Sequence, residues 1–198
     1  MAGTGMSGMI SSGGESAIDF SRVKFVFLDR DGVINQNVPD GGYVTSWEDI
    51  RILPGVERAI ALLNHASRKV IVVTNQRGIA LGRLSEPDLL SLHENLQRHL
   101  KSLGAHLDAI YFCPHDDGEC NCRKPAPGLF EFAFLDFPGA SPGNSVMIGD
   151  SNSDILAGAR LGMKTILITD QSISREGLTV RPSAEGRSLL EVVTSYLC

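Results

Sequence analysis

The chain has 198 residues and a formal net charge of -5. This length is typical of one folded domain, and the acidic balance disfavours proteins that coat nucleic acid or that bind anionic membranes through basic patches. No apolar run reaches the ~20 residues that span a bilayer, so we expect no membrane association. A small soluble substrate is the partner that this composition favours, and we expect the chain to act as a monomer.

The first 22 residues are rich in glycine and serine and lack the basic and apolar regions of a secretory signal peptide. We therefore predict a flexible N-terminal tail over 1–22, followed by a single domain over 23–198. The sequence favours a cytoplasmic location, where thiols stay reduced.

Short apolar runs rich in β-branched residues alternate with segments of helical period along the rest of the chain. The predicted strands are 23–29, 69–75, 108–114, 145–150 and 164–169. The predicted helices are 54–67, 85–104, 127–137, 153–162 and a terminal helix over 188–197. We expect irregular chain over 171–187, with one short strand around Leu178–Val180. This alternation predicts an α/β fold with a doubly wound, mostly parallel sheet and right-handed crossovers.

Two aspartates end the first predicted strand, in the stretch FLDRDGVIN at 27–35. Side chains two residues apart in an extended chain point the same way, so Asp29 and Asp31 can approach one point. Their repulsion is tolerable when a divalent cation lies between them, or when one carboxyl is protonated and serves as a general acid. When the Asp29 and Asp31 pair is considered alone, a simple turn at Asp31-Gly32 is an equally good explanation. Asp150, which follows another apolar run, adds a third carboxylate at the same sheet edge and favours an Mg²⁺ site.

Other polar residues lie where this edge predicts a ligand, because parallel sheets bind ligands beyond the carboxyl ends of their strands. Thr74 and Asn75 end the second predicted strand, where a hydroxyl and backbone amides can hold phosphate oxygens, although such residues are commonly caps or turns. Lys124 supplies a cation, although a single lysine is commonly solvated surface.

Three of the four cysteines crowd into one loop that reads C-x-H-x₄-C-x-C. Cys113, His115, Cys120 and Cys122 form a four-ligand set typical of structural zinc, with no open position for catalysis. Buried thiols or a redox pair are the alternatives. The remaining histidines lie on or beside predicted helices, where we expect them to be surface or packing residues: His65, His93, His99 and His106.

Four ordered motifs resemble those of the haloacid dehalogenase superfamily of phosphohydrolases. They are DxD at 29–31, Thr74, Lys124 and GDSNSD at 149–154, and the resemblance covers 23–170. It implies a Rossmann-like fold and an Mg²⁺-dependent phosphatase that forms an aspartyl-phosphate.

The resemblance also assigns roles to individual residues. Asp29 would attack phosphorus, and Asp31 would protonate the leaving oxygen and then activate water. Thr74 and Lys124 would hold the transferring phosphoryl group. Asp29, the backbone carbonyl of Asp31 and Asp150 would carry Mg²⁺.

Further residues are implied to surround this centre. Asp154 would partner the metal or Lys124, or would merely lie near a helix N-terminus, where a carboxylate is favoured. Asn35 and Asn75 are implied substrate contacts. Arg123 would reach the distal part of the substrate, and Arg77 would add a distal contact or indicate a different substrate.

The cysteine loop followed by CRKP, with DRDGVIN and TNQRGIA, resembles a capless branch of the superfamily that includes heptose-bisphosphate and histidinol-phosphate phosphatases. The short stretch 31–53 before the first predicted helix agrees with a capless member. The branch implies a small phosphorylated sugar as substrate, foremost D-glycero-D-manno-heptose 1,7-bisphosphate at its 7-phosphate. Histidinol phosphate or another small ester is the alternative.

Two rivals come from other functional classes. A non-catalytic, zinc-stabilised binding module would not need the DxD, threonine, lysine and aspartate set. A receiver domain also carries a phosphorylated aspartate on a parallel sheet, but it would not need the zinc loop.

Overall fold

The computed structural model describes residues 18–169 and 178–198. Most of the predicted tail and the segment 170–177 lie outside the described residues. The six strands form one fully parallel sheet in the order β3-β2-β1-β4-β5-β6, which confirms the predicted fold class. In chain order they are β1 Phe25–Leu28, β2 Lys69–Asn75, β3 Ala109–Cys113, β4 Ser145–Gly149, β5 Lys164–Ile168 and β6 Ala184–Gly186.

Helices cover both faces of the sheet. They are α1 Val56–His65, α2 Glu86–Ser102, α3 Gly128–Asp136, α4 Asn152–Arg160 and α5 Leu189–Val192, the last continued by a π-helical turn over Val193–Leu197. The longest, α2, begins with a capping box in which the Ser85 hydroxyl and the Asp88 backbone N–H pair and the Asp88 carboxylate accepts from Ser85. Gly104, just beyond its end, takes a φ of +76°, the left-handed conformation that glycine adopts without strain.

The core lies in two layers because alternate residues of a strand point to opposite faces. Val26 and Leu28 of β1 pack on the face that carries α1 and α5, together with one side of α2. Phe27 packs on the other face, against α3 and α4. The first strand is therefore buried on both sides and flanked by β2 and β4, so its end is held at the centre of the sheet.

The sixth strand lies elsewhere than the sequence predicts. The prediction of a strand around Leu178–Val180 was wrong, because the backbone N–H of Thr179 donates to Asn152 Oδ1 (2.9 Å) at the start of α4 instead of joining the sheet. The strand is Ala184–Gly186, a sequence of low β-propensity that pairs with β5.

The boundaries of the fold also differ at the N-terminus. Phe20, which lies in the predicted tail, is buried, and its ring centroid lies 5.4 Å from that of Tyr196.

No strand or α-helix lies between Leu28 and Val56, a stretch that is described throughout and holds only two short 3₁₀ turns. This agrees with a capless fold. Among the described helices, none is long and apolar enough to cross a membrane.

Candidate active site

A buried lysine joins the strand ends of the site. The Lys124 Nζ lies 3.0 Å from Asp29 Oδ1 and 2.6 Å from Asp154 Oδ1, and it donates to the backbone carbonyl of Val73 at 2.7 Å. Burial alone would lower the pKa of Lys124, but Asp154 and Asp29 hold it above its usual value. The ammonium is therefore charged and fixed by three acceptors: one that follows β1, one in β2 and one in α4.

The backbone of Lys124 is fixed as well. The Asn75 carboxamide accepts from the Lys124 N–H and donates to the Lys124 carbonyl, both at 3.0 Å. Asn75 ends β2, so this clamp ties the loop before α3 to the sheet edge. The structure gives Asn75 a positioning contact, and its predicted contact with substrate stays a prediction.

The sequence left three roles open for Asp154, and the structure shows two of them. The side chain is fully buried, with Oδ1 on Lys124 and Oδ2 accepting from the Ser151 hydroxyl at 2.6 Å. The latter contact belongs to the capping box that starts α4. A Cβ at Gly149 would overlap the Asp154 side chain, so glycine is required at the end of β4 for this close approach.

Three carboxylates gather at this point. Asp29, Asp150 and Asp154 place ligand oxygens within 4.8 Å of one another. Burial, with the nearby carboxylates, raises the pKa of Asp29 to about 7 against the opposing charge of Lys124. Burial and Asp154 likewise raise the pKa of Asp150 to about 6. One ammonium does not neutralise three carboxylates, so the donor set suits a hard divalent cation.

Gly32 and Asn37 shape the approach to Asp150. Asn37 Nδ2 donates to Asp150 Oδ2 at 2.7 Å. Gly32 has a φ of +79°, and a Cβ there would overlap the Asp150 carboxylate. The glycine therefore lets the chain after β1 turn sharply beside the predicted metal ligand.

The carboxylate of Asp31 has its own set of hydrogen-bond donors. Arg30 Nη2 donates to both of its oxygens, at 3.0 and 2.9 Å, and Gln76 Nε2 donates to Oδ2 at 3.0 Å. Although burial alone would raise the pKa of Asp31, Arg30 and the hydrogen bonds from Asn35, Arg30 and Gln76 hold it below its usual value. The prediction gives only the backbone carbonyl of Asp31 to the metal. The side-chain oxygens of Asp31 already accept hydrogen bonds from Arg30, Asn35 and Gln76, which agrees with that prediction.

The structure gives Asn35 a contact with Asp31, and its predicted contact with substrate stays a prediction. Asn35 is fully buried, and its Nδ2 donates to Asp31 Oδ1 at 2.8 Å. This contact gives Asn35 a role in orienting Asp31. Four further polar residues, which no sequence motif indicated, contribute contacts here: Arg30 and Gln76 donate to Asp31, Asn37 donates to Asp150, and His93 contacts Arg30.

Thr74 lies beside this group. It is buried at the end of β2, and its Oγ1 accepts from Gln76 Nε2 at 2.9 Å. The hydroxyl hydrogen is therefore free to point at an oxygen of a bound phosphoryl group.

The predicted zinc ligands converge. Cys113, His115, Cys120 and Cys122 place their ligand atoms within 4.8 Å of one another, and all three thiols are free. Cys113 Sγ lies 3.4 Å from Cys120 Sγ, and Cys122 Sγ lies 3.4 Å from His115 Nδ1. Such spacings suit four ligands around one tetrahedral ion and are far too long for a disulfide.

Two arginines that the sequence predicts as substrate contacts pair instead with the same loop. Arg77 Nε lies 2.5 Å from Asp116 Oδ1, and Arg123 Nε forms an ion pair with Asp117. Arg77 is about a third exposed, and Asp117 is more exposed still, so these pairs contribute little to stability. Both guanidinium groups therefore contact the loop that leads to Lys124, and an anion bound there would compete with Asp116 and Asp117 for them.

Comparison with known proteins agrees with this geometry. Residues 121–192 match the family described as HAD-hydrolase-like. The D-glycero-beta-D-manno-heptose-1,7-bisphosphate 7-phosphatase of Vibrio cholerae is 41% identical over 162 residues, covering 77% of this chain and 85% of that protein. The D-glycero-alpha-D-manno-heptose-1,7-bisphosphate 7-phosphatase of Mycobacterium tuberculosis is 42% identical over 131 residues, covering 66% and 68%.

A solved structure shows the same fold. The D,D-heptose 1,7-bisphosphate phosphatase from B. bronchiseptica, complexed with magnesium and phosphate, superposes with a TM-score of 0.79 at 32% identity, covering 87% of this chain and 97% of that one. The chain belongs to the heptose-bisphosphate phosphatase family of HAD-like hydrolases. It is a phosphatase. The three carboxylates at its strand ends suit Mg²⁺, and the solved structure of the relative from B. bronchiseptica holds magnesium and phosphate.

The raised pKa values predict that Mg²⁺ stabilises the protein in a pH-dependent way. Asp29 and Asp150 titrate near 7 and 6 in the fold and near 3.8 when unperturbed, so the fold loses stability as pH rises through that window. A cation bound to the ionised groups offsets the loss. We expect saturating Mg²⁺ to raise the thermal unfolding temperature clearly at about pH 7.5, by the equivalent of about 2–3 kcal/mol at roughly 100 times Kd, and hardly at about pH 5.

Calorimetry at the two pH values measures this difference. Asp150→Asn should remove the Mg²⁺ effect, whereas Asp19→Asn, at an exposed carboxylate, should keep it. An Mg²⁺ shift of equal size at both pH values would contradict the assignment.

Proposed function

We propose that this phosphatase removes the 7-phosphate of D-glycero-D-manno-heptose 1,7-bisphosphate through an aspartyl-phosphate on Asp29. The observation that carries the proposal is the contact of Asp29 with the buried Lys124 beside Asp150, in a chain that spans 85% of a curated heptose-bisphosphate phosphatase. A carboxylate nucleophile, a fixed ammonium and a cation site in one place are what phosphoryl transfer asks of a protein.

In the first step an oxygen of Asp29 attacks phosphorus, and the bond from phosphorus to the ester oxygen breaks. Asp31 gives its proton to that oxygen, so the sugar leaves as a neutral alcohol. Lys124 and the Thr74 hydroxyl hold the phosphoryl oxygens while their charge redistributes.

In the second step Asp31 takes a proton from water. The resulting hydroxide attacks the phosphorus of the aspartyl-phosphate, the bond to Asp29 breaks, and inorganic phosphate leaves. Asp29 is then a carboxylate again, and Asp31 is again protonated.

Asp29, the backbone carbonyl of Asp31 and Asp150 would hold Mg²⁺. The ion supplies the positive charge that lets a carboxylate approach a phosphate, a repulsion of about 4 kcal/mol per charge pair at ~4 Å and an effective dielectric near 20. Asp154 stays on Lys124 in this assignment, since both of its oxygens already have partners.

We propose that the Cys113, His115, Cys120 and Cys122 set binds one structural zinc ion. The Arg123 backbone N–H donates to Cys120 Sγ at 3.4 Å, and Lys124 follows directly, so the ion would fix the segment that carries both cations. Reduced thiols are needed for this site, which supports a cytoplasmic location. That the chain is a monomer with one domain over 23–198 stays a prediction.

Replacing the nucleophile tests the chemistry. Asp29→Asn removes the attacking carboxylate, and we expect phosphate release to fall by about a thousandfold or more while the fold is kept. Phosphate release from the bisphosphate with Mg²⁺ present measures it, with Asp19→Asn as the matched control. Release by Asp29→Asn at the wild-type rate would mean that another group attacks phosphorus.

The substrate is tested by specificity. We expect kcat/KM for heptose 1,7-bisphosphate to exceed that for histidinol phosphate by at least about tenfold, because Arg123 and Arg77 can pair with a distal phosphate. Both anomers should be assayed, since the relatives are named for both. Arg123→Gln should reduce the preference for bisphosphate over heptose 7-phosphate, and a higher kcat/KM for histidinol phosphate would overturn the substrate assignment.

Removing one zinc ligand tests the cysteine site. Metal analysis should find about one zinc per chain in the wild type and much less in Cys122→Ser. We expect kcat to fall in that variant, because Lys124 loses its support, while the Mg²⁺ dependence is unchanged. Cys198→Ser, at the exposed terminal cysteine, should keep both zinc and activity. Full activity in confirmed zinc-free protein would disprove the coupling.

A further inference from the structure

A chain of buried polar contacts links helix α2 to Asp31. Arg30 is 1% exposed; Nη2 and Nε donate to the Asp31 carboxylate, and Nη1 lies 3.2 Å from His93 Nε2. His93 is 5% exposed and lies in the middle of α2. None of these contacts is needed to hold phosphate or metal.

The direction of the hydrogen bond fixes the state of the imidazole. A guanidinium has donors and no acceptor, so His93 Nε2 must accept from Arg30 Nη1, and the ring proton lies on Nδ1. Burial and the adjacent Arg30 charge lower the pKa of His93 to about 3, against the opposing effect of Asp31. His93 is therefore a neutral acceptor throughout the working pH range and exchanges no proton in the reaction.

The imidazole is itself held in place. Its ring centroid lies 6.0 Å from that of Phe112 on β3, and the neighbouring Leu89, Leu92 and Leu96 of α2 are buried. The helix thus presents the Nε2 atom at a fixed point behind Arg30.

A fully buried arginine costs several kcal/mol in lost hydration and persists only when its donors are satisfied. Arg30 directs one edge of its guanidinium at Asp31 and another N–H at His93. Losing the His93 acceptor would leave a buried donor unpaired, and the guanidinium would turn or admit water to satisfy it. Either change moves the carboxylate that the guanidinium holds.

We propose that His93 is a positioning residue that acts through Arg30 to hold the Asp31 carboxyl in the orientation needed for proton transfer. The proposal rests on the proposed acid–base role of Asp31. The proton passes from Asp31 to the ester oxygen as the bond from phosphorus to that oxygen breaks, and it is replaced from water in the second step. A misaligned carboxyl makes the first transfer slow wherever the leaving oxygen needs a proton.

Substrates whose leaving groups differ in basicity distinguish a loss of Asp31 positioning from general damage to the fold. A sugar alkoxide is a poor leaving group and needs the proton, whereas 4-nitrophenolate departs without one. Since kcat/KM includes the breaking of the phosphorus–oxygen bond, we expect His93→Leu to lower kcat/KM for the heptose bisphosphate by about tenfold or more and to change it little for 4-nitrophenyl phosphate.

Rescue and matched controls complete the test. His93→Gln offers an amide oxygen as acceptor to Arg30 and should recover most of the loss. His99→Leu, which replaces a half-buried histidine of the same helix, should leave the ratio of the two kcat/KM values unchanged. If His93→Leu does not fold, Arg30→Lys, which keeps the charge and loses the planar fork, should show the same split.

Equal losses on both substrates, or no loss in His93→Leu, would overturn the proposal. Asp31→Asn should show the same split more strongly. If Asp31→Asn shows no split, the acid role of Asp31 fails instead, and with it the mechanism on which this inference depends.

Discussion

The ammonium of Lys124 is the group around which the site is built. It is buried, so it must be surrounded by acceptors, and these come from separate parts of the chain: Asp29 after β1, the Val73 carbonyl in β2 and Asp154 in α4. The three parts meet only because β1 lies between β2 and β4 in a parallel sheet. The strand order thus determines the charge pattern, and that pattern holds the carboxylate of Asp29, the proposed nucleophile, in place.

One segment, 113–124, combines several functions. It ends β3, carries the four predicted zinc ligands and finishes with Arg123 and Lys124. Asn75 holds its last residue by two backbone hydrogen bonds. A capless phosphatase has no second domain to close over its substrate, so cations that bind the ester must be fixed by local structure. With zinc bound, a loop anchored to the sheet edge would provide that rigidity without a large core.

The sequence predicts most of the fold and half of the site, for physical reasons. Asp29, Thr74 and Asp150 follow apolar strands, so the parallel-sheet rule brings them together before any coordinates are known. His93 could not be found in this way, because one histidine in an amphipathic helix looks like a packing residue until its neighbour across the core is known. The contact of Asn35 with Asp31 could not be found either, because a turn position predicts exposure, whereas the chain folds back and buries Asn35 against Asp31. Arg30, which lies between the two aspartates, could have indicated this network, because an arginine at a buried strand end must be paired with acceptors.

The two aspartates of the DxD motif show why the reaction needs a cation. When two carboxyl groups have different pKa values, the one with the higher pKa is the acid and the other is ionised. The protein groups alone would make Asp29 the acid and Asp31 the ionised group, which is the reverse of the proposed roles. Burial raises the pKa of Asp29, the proposed nucleophile, to about 7, whereas Arg30 and the hydrogen bonds from Asn35 and Gln76 hold the pKa of Asp31, the proposed acid, below its usual value. A protonated carboxyl is a poor nucleophile, so Asp29 must be ionised by additional positive charge. A divalent ion held by Asp29 and Asp150 would supply the positive charge that Lys124 alone does not. Arg30 acts in the opposite sense on Asp31, and the negative charge of a bound phosphate ester would favour the protonated Asp31 carboxyl that the proposed acid step needs.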